Sequence, residues 1–464
     1  MLVMLSAMTS SASPPNDPRR GVSWIRVQVP YCPISACHAR IGRCRAVRWD
    51  LDKNRNVTSQ QARLEGRTMS DASGVILVLL CAWTINAGAM RLFNAEVEDS
   101  RYPTLDGLRG YLALGVFAHH AALWWGHLKT GRWQSVSSVG HLGEVAVSLF
   151  FMITAFLFIG KLLDARASGR TVDWQQFFSG RVRRIVPMYA VTMGLLLILV
   201  GVKTQWTLHV DLGTLARSLL SWFTFTFAGR VDINGLAETS LVTAGVTWSL
   251  TFEWMFYLML PLAALSLGLK TSRWAVGIAL CAPLLLLIWS PWLQHAKPFL
   301  GGAAAACLVR LPVFRRWAST PWASVLVVIF LIRALFHPSG GFSDRAIIYT
   351  AAAFCLIAGG TSLFGLLTQR TSRFLGQPTY SLYLLHGLAL YACFGFLSVD
   401  TAAHMTATGF WAAICALGML LVLLCHCTYR RIELPSMGRA AARTAPQAEA
   451  EAKADASPTT IAPA

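Results

Sequence analysis

The chain has 464 residues, of which 55% are hydrophobic and 13% are charged, and its formal net charge is +18 at pH 7. This composition, with a mean hydropathy of +0.51, excludes an ordinary soluble domain, and long uncharged runs recur from Leu108 onward. In a membrane protein Lys and Arg collect in cytoplasmic loops, so the positive charge argues for an orientation and against a nucleic-acid partner. The sequence predicts an all-α, polytopic membrane protein.

The first 70 residues differ from the rest, because they hold eleven Lys or Arg and four acidic residues and lack helical periodicity. Four potential metal ligands lie among them: Cys32, Cys37, His38 and Cys44. Their spacing lacks the paired CxxC of zinc sites, so we expect no metal there. We interpret residues 1–100 as a poorly ordered basic leader or as an over-extended start, with Met69 or Met90 as the true first residue.

Residues 74–89 are apolar and about long enough to span a membrane. If they cross, the basic leader lies on the opposite side from Arg101 and Arg109, against the usual charge bias. We therefore expect an optional extra segment or signal anchor that is not part of the helical core.

Ten further apolar runs predict about ten transmembrane helices, with 74–89 as a possible eleventh. They lie at 108–126, 143–160, 185–202, 247–268, 274–292, 296–310, 322–336, 347–366, 380–398 and 408–427. The loops richest in Lys and Arg all fall on one side of the membrane only if the aromatic run 215–228 does not cross it. That side is predicted to be the cytoplasm. Both termini of the core domain, 101–435, are then cytoplasmic. Residues 203–246 become an external loop with an interfacial helix, and the tail 436–464 is predicted to be disordered.

The first core helix carries ionisable residues, which are expensive inside a membrane-length helix and by default mark function. Arg109 and His120 are eleven residues apart, so they point within about 20° of each other and lie roughly 16 Å apart along the axis. His119 points roughly 80° away from Arg109. We expect the chemistry on this helix, although both histidines could instead be helix-end residues that bond to neighbours.

Three other positions allow both a structural and a functional interpretation. Arg181 and Arg184 share one helix face, where they either anchor the helix at the cytoplasmic interface or clamp phosphate groups. Glu253 lies roughly 8 Å inside an apolar helix, so it must pair, be protonated or face a wet cavity. His120 is one candidate partner for it, and a structural bond between helices is the alternative. His386 is either a packing histidine or a catalytic one.

Six motifs occur in order. They are LDGLRG at Leu105–Gly110 with His120 eleven residues after its arginine, VSLFFMITAFLF at Val147–Phe158, RVRRIVPMY at Arg181–Tyr189, WSLTFEWMFYLMLP at Trp248–Pro261, RFLGQPTYSLYLLH at Arg373–His386 and IELP at Ile432–Pro435. From Tyr102 to about Arg439 the chain resembles the acyltransferase-3 family of integral membrane acyltransferases, which includes enzymes that O-acylate bacterial surface polysaccharides and O-antigens. Thr154 and Ala155 depart from the family's usual Ser-Gly, and Thr379 from its usual Ser or Ile.

The resemblance implies transfer of an acyl group, most commonly acetyl, from acyl-CoA to a hydroxyl of a carbohydrate or lipid-linked glycan, in the bacterial cytoplasmic (inner) membrane and without a metal. The candidate donor-binding residues are Arg109, Arg181 and Arg184, and the candidate catalytic residues are His120, Glu253 and His386. In this scheme His120 is the general base. Glu253 orients it or stabilises its imidazolium, and the division of roles between Glu253 and His386 stays open. A covalent intermediate on Ser249 is an alternative route.

Two rival functions use the same features. A secondary transporter of a small anionic or sugar-like solute would also place charges in mid-membrane, but it predicts internal repeats or paired broken helices, and the sequence shows no such self-similarity. A membrane scaffold would tolerate the loss of His120, whereas an enzyme would not.

Overall fold

A computed structural model describes residues 51–93, 97, 100–133, 141–288 and 290–438. The chain divides into two compact units, Met1–Val57 and Thr58–Ala464. The described part of the first unit is the start of a helix. The cysteine and histidine cluster near the N-terminus and most of the predicted tail lie outside the described residues.

The regular secondary structure of the described residues is helical, and they contain no β-strand. The α-helices are α1 Leu51–Leu92, α2 Pro103–Thr130, α3 Leu142–Ala167, α4 Trp174–Lys203, α5 Leu212–Phe223, α6 Thr247–Ser266, α7 Arg273–Ile288, α8 Pro298–Leu308, α9 Pro312–Ala318, α10 Pro321–Leu335, α11 Asp344–Gly359, α12 Arg370–Leu375, α13 Thr379–Phe394, α14 Val399–His404 and α15 Ala407–Thr428. A 3-10 helix covers Thr239–Thr243. The predicted all-α class is therefore confirmed.

Five helical segments of the described chain are long and apolar enough to cross a membrane. They are Ala72–Leu92, Leu142–Ala167, Trp174–Lys203, Thr247–Ser266 and Ala407–Gly438. A sixth candidate is the pair Leu293–Leu308 and Pro312–Ala318, which is bent by 109° and is either a broken span or a re-entrant loop. Each of the ten predicted runs contains a helix, but several of these helices are too short or too polar to qualify. The protein is an integral membrane protein, and the prediction of about ten crossings is not confirmed.

The segment at 74–89 packs into the helical core, which corrects the expectation that it lies outside. Val78 and Ala82 are completely buried. Asn86, also buried, donates from Nδ2 to Thr371 O (2.9 Å), and its Oδ1 lies 2.8 Å from His426 Nε2 on α15. The segment is apolar on nearly all sides, so hydrophobic periodicity does not reveal which face meets protein. The partners of Asn86, which are far away in sequence, show which face it is.

Motif glycines fix how the central helices approach one another. A Cβ atom on Gly107 of α2 would lie 1.9 Å from Leu367 O, and one on Gly376 would lie 1.8 Å from Asp106 O. A Cβ atom on Gly387 of α13 would lie 2.3 Å from the backbone of Thr243. These distances leave no room for any side chain, so the glycines allow close backbone packing. The first two approaches set α2 against residues 367–376, just before α13, and the third sets α13 against the 3-10 helix Thr239–Thr243.

The aromatic run predicted not to cross forms α5. Asp211 caps this helix by accepting a hydrogen bond from Thr214 N (2.9 Å). Leu212, Leu220 and Phe223 are exposed. Twelve residues are too few to span a bilayer, and an exposed apolar face is expected of a helix that lies in a membrane interface.

Candidate active site

Two cavities meet inside the helical bundle. The histidine cavity has a volume of about 610 Å³ and is lined by His119, His120 and Trp248 among others. The cationic cavity has a volume of about 320 Å³ and is lined by Arg109, Lys161, Arg181 and Arg184 among others. Val147 and Tyr383 line both cavities, so these two side chains form a shared wall.

The cationic cavity contains the three arginines that the sequence singled out. Arg109 comes from the first turns of α2, where Nη1 lies 3.2 Å from Asp106 Oδ1. Arg181 and Arg184 come from α4, on the shared face that their spacing predicts. The Arg181 guanidinium lies 5.0 Å from the centre of the Phe158 ring, within the range of a cation–π interaction. The structure therefore brings all three predicted donor-binding residues together.

Lys161 is a fourth cation in this cavity, and the sequence analysis missed it. The predicted apolar run ends at residue 160, one residue before Lys161, whereas α3 continues to Ala167. Lys161 follows Thr154 by seven residues, or about two helical turns, so the two side chains share a face. Both line the cationic cavity. That spacing is the signal that could have identified Lys161.

Glu253 lies in the cationic cavity and not beside His120. Its carboxylate accepts a hydrogen bond from the hydroxyl of Tyr257, one helical turn further along α6. No hydrogen bond joins Glu253 to His120 among the described contacts. The expectation that this carboxylate partners His120 is therefore not met, because α6 turns Glu253 toward the arginines.

His386 takes the place beside His120 instead. His386 Nε2 lies 3.1 Å from His120 Nδ1, and the centres of the two rings are 5.0 Å apart. Each Nδ1 also lies near the carbonyl one turn earlier in its own helix. The distances are 3.0 Å from His120 to Val116 O and 3.1 Å from His386 to Leu382 O. The structure joins two predicted catalytic residues that are 266 positions apart.

These contacts allow an arrangement in which His120 Nε2 can accept a proton. A carbonyl oxygen only accepts hydrogen bonds, so the contact with Leu382 O favours a neutral His386 with its proton on Nδ1. His386 Nε2 then accepts from His120 Nδ1–H, which leaves the lone pair of His120 on Nε2. The arrangement can therefore present His120 Nε2 as a general base while His386 holds the opposite nitrogen.

A pair of hydroxyl groups stands at the wall between the cavities. Ser249 Oγ lies 2.7 Å from the Tyr383 hydroxyl, and it donates to Val246 O at 3.0 Å. Among the described contacts Ser249 has no histidine or carboxylate that could remove its proton, which a serine nucleophile requires. The geometry gives little support to a covalent intermediate on Ser249.

Glu433 of the IELP motif has a positioning role that the sequence analysis did not assign. It is 2% exposed, and its carboxylate accepts hydrogen bonds from the backbone N–H of Ser381 (3.2 Å) and from the Ser381 hydroxyl. These bonds lie in the first turn of α13, where backbone N–H groups lack helical partners. Glu433 thus fixes the helix that carries His386. A lone carboxylate in an apolar motif is the signal that could have identified it.

The described residues contain no group of three His, Cys, Asp or Glu side chains placed to hold a metal ion.

Comparison with known proteins identifies the family. The profile of the acyltransferase-3 family, described as an acyltransferase domain, matches residues 102–430. A Bacillus subtilis protein, YrhL, provisionally named a peptidoglycan O-acetyltransferase, is 23% identical over 328 residues, which cover 63% of this chain and 49% of that protein. A Staphylococcus aureus (strain COL) protein, provisionally named an O-acetyltransferase, is 23% identical over 327 residues, covering 63% of this chain and 51% of its own length.

The acyltransferase MdmB of Streptomyces mycarofaciens is 24% identical over 326 residues, which cover 62% of this chain and 79% of that protein. The chain thus spans about half the length of the Bacillus and Staphylococcus relatives and a larger share of MdmB. No solved structure matches the chain significantly. The matched profile covers most of the chain, so the protein belongs to the acyltransferase-3 family of integral membrane proteins.

Proposed function

We propose that the protein moves an acyl group, in the first instance acetyl, from acyl-CoA to a hydroxyl of a carbohydrate or lipid-linked glycan acceptor. One observation carries this proposal: a cavity with four cations adjoins a cavity with a paired histidine base, and Val147 and Tyr383 form their common wall. Acyl transfer from a phosphorylated thioester to an alcohol needs a site that binds phosphate groups and a general base, and the two must lie next to each other.

The cationic cavity suits the donor. Guanidinium groups form paired, charge-assisted hydrogen bonds with phosphate oxygens, and a lysine adds a compact charge. Coenzyme A carries a pyrophosphate and a 3′-phosphate, which match an excess of cations over the one carboxylate, Glu253, among the described lining residues. Arg109, Arg181 and Arg184 would hold the phosphates of acyl-CoA. The thioester at the other end of the molecule would then reach toward Val147 and Tyr383, the shared wall.

The histidine cavity suits the acceptor. His120 Nε2 takes the proton of an acceptor hydroxyl while the hydroxyl oxygen forms a bond to the thioester carbonyl carbon. The carbon–sulfur bond then breaks, and the leaving thiolate of coenzyme A receives the proton from the His120 imidazolium. General-base help of this kind contributes roughly a hundred- to ten-thousand-fold to the rate. His386 holds His120 Nδ1 throughout and stabilises the imidazolium through their 3.1 Å contact.

Glu253 receives a different role from the one that the sequence suggested. Because it shares a cavity with four cations and bonds to Tyr257, we assign it to balancing the charge of the donor site. A donor site with four unbalanced cations would also hold its product, free coenzyme A, too tightly.

We also propose the orientation and the domain limits. The core domain 101–435 would lie in the bacterial inner membrane, with about ten helices crossing or entering it and with both core termini in the cytoplasm. The concentration of Lys and Arg in loops on one side supports this orientation. The cationic cavity would then open toward the compartment that supplies acyl-CoA.

Replacement of the base tests the proposed reaction. Purified protein in lipid nanodiscs would receive labelled acetyl-CoA and a panel of glycans, and transfer of label would be measured. His120→Ala should lower kcat about a hundred- to ten-thousand-fold with little change in the KM for acetyl-CoA. His209→Gln, which lies outside both cavities, is the matched control and should behave as wild type.

Two outcomes would contradict the proposal. Undiminished transfer by His120→Ala would remove His120 as the base. Absence of any acetyl-CoA turnover by the wild-type protein with every glycan would remove acyl-CoA as the donor.

A further inference from the structure

Arg230 is a cation of the histidine cavity that none of the roles above uses. It lines this cavity together with His120, and it is exposed. Its guanidinium donates from Nη1 to Gly245 O at 3.0 Å, and within the described part of the chain Arg230 forms no ion pair with a carboxylate. A guanidinium has five N–H donors, so most of its hydrogen-bonding capacity is open to a ligand in the cavity.

The backbone on both sides of Arg230 is fixed by helix α5. Ser221 Oγ donates to Gly229 O at 2.6 Å, and Trp222 Nε1 donates to Val231 O at 2.8 Å. Both donor side chains are buried. These two bonds hold the residues immediately before and after Arg230, so its Cα has a defined position. The buried face of α5 therefore sets where this arginine enters the cavity.

The guanidinium group is held close to the paired histidines. A Cβ atom on Gly245 would lie 2.8 Å from Arg230 Nη1, so the absence of a side chain lets the guanidinium lie against this backbone. Thr243 and Gly245 are two residues apart, which is at most about 7 Å. The backbone of Thr243 packs against Gly387, the residue after His386. Arg230 is therefore anchored next to the part of α13 that carries His386.

The charge of Arg230 is not balanced by a side chain of the cavity. Glu144 is the one carboxylate among the described lining residues. Its Oε2 accepts a hydrogen bond from Gly341 N and lies 3.3 Å from His141 Nδ1, and it does not pair with Arg230. A ligand in this cavity therefore meets one uncompensated guanidinium. The planar fork of that group matches two oxygens of a carboxylate or a phosphate.

We propose that Arg230 binds an anionic substituent of the acceptor, a carboxylate or a phosphate, while the reacting hydroxyl lies at His120. The acceptor is then an acidic carbohydrate and not a neutral one. Each substrate would have its own anion site, since the phosphates of the donor belong to the cationic cavity. This inference rests on the proposed function, which places the acceptor hydroxyl at His120.

Acceptors in matched pairs test the inference. One arm compares glycans that contain a uronic acid with the same glycans as primary uronamides. The other arm compares glycosyl 1-phosphates with the corresponding methyl glycosides. Neither change adds a hydroxyl group that could itself be acylated. Wild-type protein would receive labelled acetyl-CoA, and kcat/KM would be measured for each acceptor. We expect the acidic member to exceed the neutral one at least tenfold in one arm, and that arm identifies the anion.

Replacement of Arg230 tests whether this residue causes the preference. Arg230→Gln should raise the KM for the acidic acceptor about ten- to hundredfold, as expected for the loss of hydrogen bonds to a charged group. It should change kcat, and the kcat/KM of the neutral acceptor, less than about threefold. Arg230→Lys keeps the charge but not the planar fork, so it should recover part of the loss.

Arg217→Gln is the matched control. Arg217 is an exposed arginine of α5 that bonds to Gly213 O and to Thr214 Oγ1 in its own helix, and it lines neither the histidine cavity nor the cationic cavity. Its replacement removes the same charge from the same region. The variant should keep the wild-type preference for acidic acceptors.

Three outcomes would contradict the inference. Equal kcat/KM for the acidic and neutral members in both arms would show that the acceptor needs no anion. An equal loss for both members in Arg230→Gln would mean that Arg230 serves the fold or the reaction itself. In either event, loss of transfer in His120→Ala would still support the proposed function. Transfer to no acceptor of either kind by the wild-type protein would overturn both the anion site and the glycan acceptor.

Discussion

The two cavities that meet at Val147 and Tyr383 differ in how they hold their polar groups. In the cationic cavity long side chains from α2, α3 and α4 converge, and each contributes a charge through a flexible stem. In the histidine cavity a short chain of contacts runs from Leu382 O through His386 to His120 Nδ1. Loss of one charge should weaken donor binding in the cationic cavity only in part, because other cations remain. The histidine cavity depends on one nitrogen of His120, so His120→Ala should cause the largest loss of activity among the variants.

The next largest effect should come from the cationic side. The double variant Arg181→Gln/Arg184→Gln removes two charge-assisted contacts, each worth about 1.5–3 kcal/mol. It should therefore raise the KM for acetyl-CoA about a hundredfold or more, with a smaller change in kcat. Arg183→Gln is the matched control, because Arg183 neighbours Arg184 but does not line the cavity. A collapse of kcat at unchanged KM would mean that the two cavities do not divide binding from chemistry.

The effect of removing His386 should be smaller than that of removing His120. His386→Leu leaves His120 Nδ1 without its partner at 3.1 Å, so kcat should fall about ten- to hundredfold while the KM for acetyl-CoA stays near wild type. His386→Gln keeps an acceptor on the side chain and should recover part of the loss. Steady-state kinetics of both variants check this. Equal activity of the Leu and Gln variants would show that His386 acts only through packing.

The smallest effect should come from Glu253→Gln. This change keeps an acceptor for the Tyr257 hydroxyl and removes one negative charge from a cavity with four cations. Attraction for phosphates should rise, so the KM for acetyl-CoA should fall a few-fold and kcat should change less than about tenfold. Kinetics across a range of ionic strengths would check the charge effect, since salt should reduce it. A loss of kcat as large as in His120→Ala would make Glu253 the residue that orients the base.

Much of the architecture could be predicted from periodicity and motif order. The sequence predicts the all-α class, a helix at each of the ten apolar runs, and the shared face of Arg181 and Arg184. The 74–89 segment was misplaced, because it is apolar on nearly all sides and only the contacts of Asn86 with α12 and α15 show which face is buried. Lys161 was missed because charge counting placed the end of α3 too early.

The sequence by itself determined which direction each side chain takes around its own helix, and that was enough to put Arg109 and His120 on one face of α2. Only the tertiary structure decided that His386, and not Glu253, meets His120. The reason is that helical periodicity is local, whereas the rotation and axial offset of one helix against another depend on distant contacts. Here those offsets are set by backbone approaches at Gly107, Gly376 and Gly387, where no other residue would fit.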